Sequence, residues 1–397
     1  MNFPITPFLA EQRNYPMTVG KTVFITSKID FPQSVNGVIT LEDNKTYFIT
    51  TSIDLEGDRL VCGQNTTIIG GSSENCVLKS TGLVGQALIS SQRTLLLRDI
   101  TIEADIALNL NANGISNQTV KCSGVNFINC PVVGTIANYS NFFMLNCALI
   151  NSANMIFDGD IDTVDFVYCS FDGRPSQTTL IVANTANILE RFQISHSTFV
   201  VLNGETGINV FENAIVNNES YILDTVDFKG SGTFVTGTTH SSNKAFFTDC
   251  IGINNSGNIA QYYMVNSTTS TPIPVSGTFY KILGTTSSGP YIEKFTLSNN
   301  RATYQGASTG YFKVSATISA SSGNVQLLSF RVAVDGSTIA ASENSVTTSG
   351  AGRVESVKIQ AITLLNPGQY IEIFATNNSA TTNIIVSDLN VIIERLN

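Results

Sequence analysis

Residues 140–152 read SNFFMLNCALINS, and residues 162–174 read DTVDFVYCSFDGR. Both are a short apolar alternation, a small or polar residue, and then a large apolar residue. The phrase recurs as RTLLLRDITIEAD (93–105), QTVKCSGVNFINC (118–130), LERFQISHSTFVV (189–201), ESYILDTVDFKGS (219–231) and SNKAFFTDCIGIN (242–254), seven copies in all. The closing large residues are Ile102, Phe127, Leu149, Phe171, Phe199, Phe228 and Ile253, and they fall 22 to 29 residues apart. A period of that size marks a repeat architecture.

The period is too short for two packed helices, which need roughly 33–47 residues. Inside each copy the apolar residues alternate or run together, as in strands, and Asn, Gly, Ser and Asp punctuate between them. A coil of two or three short strands fits. The expectation is a right-handed, single-stranded parallel β-helix whose coils stack at about 4.8 Å. Each large residue then lies over its counterpart, because one coil cannot bury it alone. Leucine-rich repeats share the period but need Leu at fixed steps, and here Leu is scattered.

Upstream, VNGVITLEDNKTYFITTSIDLEGDRLVCGQNTTIIGG (35–71) reads as opening coils. Residues 1–20 hold three prolines and no period, and are read as a lead-in or attachment segment. Residues 255–276 are rich in Asn, Ser, Thr and Pro, a linker composition, so the β-helix is placed at 21–270. Beyond it the text changes. Phe312, Val314, Ala316 and Ile318 alternate on one face, as do Leu328, Phe330, Val332 and Val334. Val357, Ile359 and Ala361 form a third such face, and Ile371, Ile373 and Ala375 a fourth. Turn signals at DG, SGAG, NPGQ and NNS separate these runs. Two-residue alternation without a long repeat predicts an antiparallel jelly roll over 271–397. The fold class is therefore all-β.

Only 13% of the 397 residues are charged, about half the usual share. Uncharged turns suit a solenoid, where like charges would fall above one another. The net charge of −9, with no basic run, argues against nucleic acid and against an anionic membrane surface. No stretch approaches 18 uninterrupted apolar residues, so no membrane insertion is expected. The first residues do not read as a signal peptide. The seven cysteines include no CxxC. They are read as structural thiols, with Cys147, Cys169 and Cys250 sharing a small-residue turn slot with Asp99, Gly124, Ser197 and Thr225.

Glycoside cleavage usually needs two carboxylates about 5–9.5 Å apart. The densest acidic group is Asp158, Asp160, Asp162 and Asp165, and its DGD text is strong turn chemistry. Glu190, Glu205, Glu212 and Glu219 form no pair by spacing, although folding could create one. Arg174 and Arg191 are read as surface ion-pair partners. His196 and His240 lack a second His or a Cys at ligand spacing, which argues against zinc. No G-x-S-x-G, P-loop or dinucleotide fingerprint occurs. Tyr262, Tyr263, Tyr280 and Tyr291 cluster near the domain junction, where a sugar platform and buried packing both fit. No catalytic, cofactor-binding or metal-binding residue is assigned.

The two halves together resemble tail spikes, tail fibres and related appendage proteins of bacteriophages. VNGVITLEDNKTYFIT, NTTIIGGSSENCVLKSTGL and VSDLNVIIERL look like fragments of marine phage proteins. GTFYKILGTT, KFTLSNNRATYQG, YFKVSATIS and YIEIFATNN are similar to C1q/tumour-necrosis-factor-like trimerising heads. The resemblance covers nearly the whole chain beyond residue 20. It implies a homotrimer displayed on a virion, held by other tail or adaptor proteins and contacting a host-cell glycan or receptor. Two other roles are weighed: a polysaccharide depolymerase (glycosidase or lyase), and a head or collar fibre without receptor duties. The family carries no shared catalytic motif to transfer.

Overall fold

The structure, a computed structural model, describes residues 21–396. Its contacts divide the chain into two compact units, one running to Thr239 and including Phe246–Asn255, the other comprising His240–Ala245 and Ser256 onward. The chain is all-β: a parallel β-helix followed by an antiparallel jelly-roll sandwich. Among the described residues the helices are single 3₁₀ turns at Lys28–Asp30, Glu212–Ala214 and Ala340–Ser342. No helix among the described residues is long and apolar enough to cross a membrane.

The first unit is built on three parallel sheets of ten, eight and nine strands. One coil shows the plan. Val132–Ala137 lies in the nine-stranded sheet, Asn141–Leu145 in the ten-stranded sheet and Ala148–Ile150 in the eight-stranded sheet. Each strand pairs with its equivalent one coil on, so a side chain facing in meets the same position above and below. In the eight-stranded sheet the register runs Ile102 to Phe127, Phe127 to Leu149, Leu149 to Phe171, Phe171 to Phe199 and Phe199 to Phe228. All six are buried. Phe171, Phe199 and Phe228 stack with ring centroids 4.2 and 5.1 Å apart. Burying each ring contributes roughly 1.5–3 kcal/mol, and such stacking adds about 0.5–1.5 kcal/mol.

Two features of the column differ from the expectation. It begins earlier, with Ile53 opposite Leu78 and Leu78 opposite Ile102. It also ends differently. Asp227 pairs with Ile251, which sets Gly252 and not Ile253 over Phe228. A Cβ at Gly252 would lie 2.6 Å from the Phe228 carbonyl oxygen. No large residue fits there, so the column stops at Phe228.

The expected turn slot proves to be two adjacent positions. Asp99, Gly124, Asn146, Tyr168, His196, Thr225 and Asp249 have positive φ, from 48° to 63°. The residues that follow them, Ile100, Val125, Cys147, Cys169, Ser197, Val226 and Cys250, face inward and are buried. The kink lets the chain turn sharply between sheets, and Asn, Asp and Gly tolerate it best. Asparagine ladders seal other corners. Asn151 Nδ2 donates to Asn129 Oδ1 at 2.8 Å, and Asn65 Nδ2 to Asn44 Oδ1 at 2.9 Å. Amides can stack in this way because they donate and accept, which like charges cannot do.

The second unit pairs over long sequence distances. One sheet runs Ser287–Glu293, Ile259–Met264, Ile384–Arg395, Gly310–Ser321 and Glu355–Leu365. The other runs Phe295–Ser298, Arg301–Tyr304, Tyr370–Asn377, Leu327–Val334 and Ser337–Thr338. The four alternating faces expected from the sequence all point into one core, with Val334 and Ala361 at its margin. By their contacts, His240–Ala245 and the residues from Ser256 onward group with this unit. Ile259–Met264 lies within the text read as linker, yet it pairs with both Ser287–Glu293 and Ile384–Arg395 and buries Ala260, Tyr262 and Met264. The expected lead-in, residues 1–20, lies outside the described residues.

Candidate functional site

The acidic cluster resolves into turn and strand. Asp158 ends one strand and Asp160 opens the next, with Gly159 at φ 64° between them. Asp158 Oδ1 accepts from Gly159 N at 2.8 Å and Thr185 Oγ1 at 2.6 Å, while Asp160 Oδ1 accepts from Asn187 Nδ2 at 2.8 Å. These are Asx-type turn contacts and a ladder between coils. Asp165 sits on the outer face of the ten-stranded sheet. It takes two bonds from Arg191 of the next coil, 2.9 Å from Nε and 2.8 Å from Nη2. Arg174 forms no such pair among the described residues, and its Nη1 donates to the Asn151 carbonyl at 3.2 Å. Glu205 is buried in a turn, where Oε2 accepts from Leu202 N at 2.7 Å. Glu190 is exposed, and Glu212 opens a 3₁₀ turn.

His196 lies beside the Tyr168 ring of the preceding coil, with centroids 5.2 Å apart. His240 Nε2 is 3.6 Å from Glu293 Oε1. Among the described residues no three His, Cys, Asp or Glu side chains gather as a metal site. All seven cysteines are buried and unpaired. Burial pushes the Cys62 thiol up to about 12 and the Cys130 thiol up to about 11, so both stay protonated and unreactive at neutral pH. The tyrosine cluster divides. Tyr262 is core and Tyr280 packs against it, while Tyr263 and Tyr291 are exposed.

Two clefts open on the outer faces of the β-helix. One, of about 490 Å³, lies over the ten-stranded sheet among Lys21, Thr46, Thr67, Arg98 and Lys121. Arg98 there is paired with Asp99 at 2.9 Å. The other, of about 560 Å³, lies over the nine-stranded sheet and the turns that leave it. Its walls come from successive coils: Arg59 and Gln64, then Ser90, Gln92 and Arg93, then Asn109. Strand pairing fixes the alignment, since Val61 lies beside Ser90 and Ser90 beside Asn109. No spacing in the sequence marked this cleft, because the lengths of the intervening turns decide which outward residues become neighbours.

A third surface lies on the sandwich. The outward row beside the buried alternation of Gly310–Ser321 carries Tyr311, opposite Leu364. Ile362 lies opposite Lys313, and Ile392 opposite Ser315. Tyr311 is 60% exposed and Ile362 65% exposed, with Leu364, Ile392 and Tyr263 also open to solvent. These large apolar side chains lie adjacent on an open sheet face.

No family model matches the chain, and no curated protein matches it. Among solved structures it is similar to the enzymatically active domain of tailspike protein 4 of bacteriophage CBA120. That likeness has 12% identity and a TM-score of 0.27, and covers 92% of this chain and 69% of that one. Murine APRIL is similar at 9% identity and a TM-score of 0.26, covering 34% of this chain and 98% of that one. Eiger TNF from S. frugiperda is similar at 10% identity and a TM-score of 0.25, covering 35% and 94%.

Proposed function

We propose that this protein is a virion appendage of the tail-spike or tail-fibre kind, a homotrimer that binds a glycan on the host-cell surface. The observation that carries the reading is the division of labour between the units. The β-helix holds a rigid outer wall with an open cleft lined by amide, hydroxyl and guanidinium groups. The sandwich leaves Tyr311, Ile362, Leu364 and Ile392 exposed on one sheet. Polar planar groups on a rigid wall suit sugar hydroxyls, and an open apolar sheet face suits burial against copies of the same chain. The sequence resemblance to phage appendages adds the virion, with tail or adaptor proteins as its neighbours there.

Light scattering on the purified chain tests the assembly. A particle three times the chain mass of 42.6 kDa is expected, and Ile362→Lys should shift it toward monomer. A wild-type monomer would remove the trimer from the reading. Adsorption to bacterial capsule and lipopolysaccharide preparations tests the ligand, and the same samples are assayed for new reducing ends or unsaturated uronates. Adsorption without cleavage is expected. Release of either product would move the protein to the depolymerases.

A further inference from the structure

We infer that the cleft over the nine-stranded sheet binds an acidic saccharide, with a carboxylate or sulfate group of the sugar held between Arg59 and Arg93. This deepens the proposed function and rests on its glycan-binding reading. The first ground is charge. The whole chain carries −9, yet this cleft is lined by two guanidinium groups and a single carboxylate, Asp43. Asp43 balances neither arginine. Its Oδ1 accepts from the Gln64 backbone N–H at 2.6 Å, and among the described residues it forms no ion pair. By contrast, Arg98, Arg191, Arg301 and Arg331 each meet a carboxylate within the chain, while Arg174 and Arg395 are occupied by neutral oxygens.

The second ground is an unsatisfied donor. Arg59 Nε is shielded from solvent and has no hydrogen-bond partner among the described residues. Among the described residues its side chain makes one bond, a long contact from Nη1 to Ser90 Oγ at 3.4 Å. The guanidinium therefore keeps unused donors, and its planar fork matches carboxylate and sulfate oxygens in pairs. Arg93 belongs to the next coil, and its side chain has no hydrogen-bond or ionic partner among the described residues. The third ground is the company these residues keep. Gln64, Gln92 and Asn109 are exposed, and their amides make no hydrogen bond among the described residues. They stand on three successive coils, spaced by about 4.8 Å per coil. Such a row offers donors and acceptors to the hydroxyls of a sugar chain running along the coils, while the arginines select its charge.

The test uses the full chain and three probes: a hexagalacturonate, a sulfated galactan hexasaccharide and neutral maltohexaose, each followed by titration calorimetry. At least one acidic probe should bind, maltohexaose should not, and added salt should weaken the binding. Arg93→Gln, at an exposed position, and Arg59→Gln should each reduce affinity about tenfold or more, the loss expected when a charge-assisted contact is removed. Asn109→Ala should reduce it less. Circular dichroism and the unfolding midpoint show whether each variant is folded, and Arg93→Gln is decisive if Arg59→Gln is not. Equal binding of maltohexaose, or acidic binding untouched by Arg93→Gln, overturns the inference and leaves the glycan reading standing. Adsorption to capsule or lipopolysaccharide with neither acidic probe bound does the same. Failure of every saccharide and every surface preparation overturns the glycan reading itself.

Discussion

The two units bury similar strands by different means. In the β-helix Phe199 packs between Phe171 and Phe228, its equivalents in adjoining coils. In the sandwich Ala260 lies opposite Ile393, and Val314 is flanked by Ala361 and Ile393. One unit repeats a local solution, and each coil depends on its neighbours. The other closes only when the two ends of its sequence meet. The first should therefore yield by degrees when damaged, and the second as a whole.

The sharpest way to break that contrast is to remove one ring from each unit. Phe199→Ala and Phe330→Ala should each lower stability by roughly 3–5 kcal/mol, as deleted buried rings do, read from denaturant midpoints. Hydrogen exchange separates them. Phe199→Ala should raise exchange mainly in the strands on either side, Ser170–Asp172 and Asp227–Gly230, whereas Phe330→Ala should raise it through both sheets of the sandwich. Uniform loss of protection along the whole β-helix would show that the coils are not the cooperative unit.

Gly134→Ala probes the closeness of the coils. Gly134 has φ 130°, and a Cβ there would collide with the Leu108 carbonyl oxygen. A loss of about 3 kcal/mol is expected from the strained backbone alone, and an unchanged melting temperature would contradict this packing. Asn151→Ala addresses the corners. It removes the bond to Asn129 and puts alanine at φ 46°, for an expected loss of about 1–2 kcal/mol. Asn151→Gly should recover the backbone part of that loss.

The smallest effect is electrostatic. Lys28 Nζ lies 2.9 Å from Asp58 Oδ2. The bond from Lys28 holds the Asp58 carboxyl below the usual range, and the bond to Asp58 holds the Lys28 ammonium above its own. The depressed carboxyl contributes stability fully above its unfolded value of about 3.9, lost as pH falls through the lower folded value. The raised ammonium contributes fully below about 10.4, lost as pH rises through the higher folded value. Lys28→Met should therefore cost under about 1 kcal/mol for this partly exposed pair. The difference from wild type should be flat across neutral pH and shrink at both extremes. A difference that grows below pH 4 would reverse the assignment.

The interior of both units was legible in the sequence. Large residues at a steady interval marked the column, and strict alternation marked the sandwich faces. The errors have physical causes. Ile253 is large and well spaced, but Gly252 takes the place because the Phe228 backbone leaves room for nothing bigger. The Asn- and Ser-rich text after Asn254 read as linker, although IAQYYM within it alternates buried and open positions, because one of its two pairing partners lies at the far end of the chain. The cleft was invisible. Arg59, Arg93 and Asn109 become neighbours only through the lengths of turns that carry no pattern of their own. The exposed row of Tyr311, Ile362 and Ile392 was hidden for a related reason: the outward positions of a strand hold whatever the surface requires.

The uneven intervals between column residues carry one last meaning. The register survives steps of 22 to 29 residues, so the extra length is absorbed in the bends between strands and never reaches the buried stack. Outer contour and inner frame are thus separate variables. A segment inserted at a bend such as 173–177 would reshape what the protein shows to the outside while every enclosed side chain kept its neighbours. The molecule can change what it touches without having to learn again how to fold.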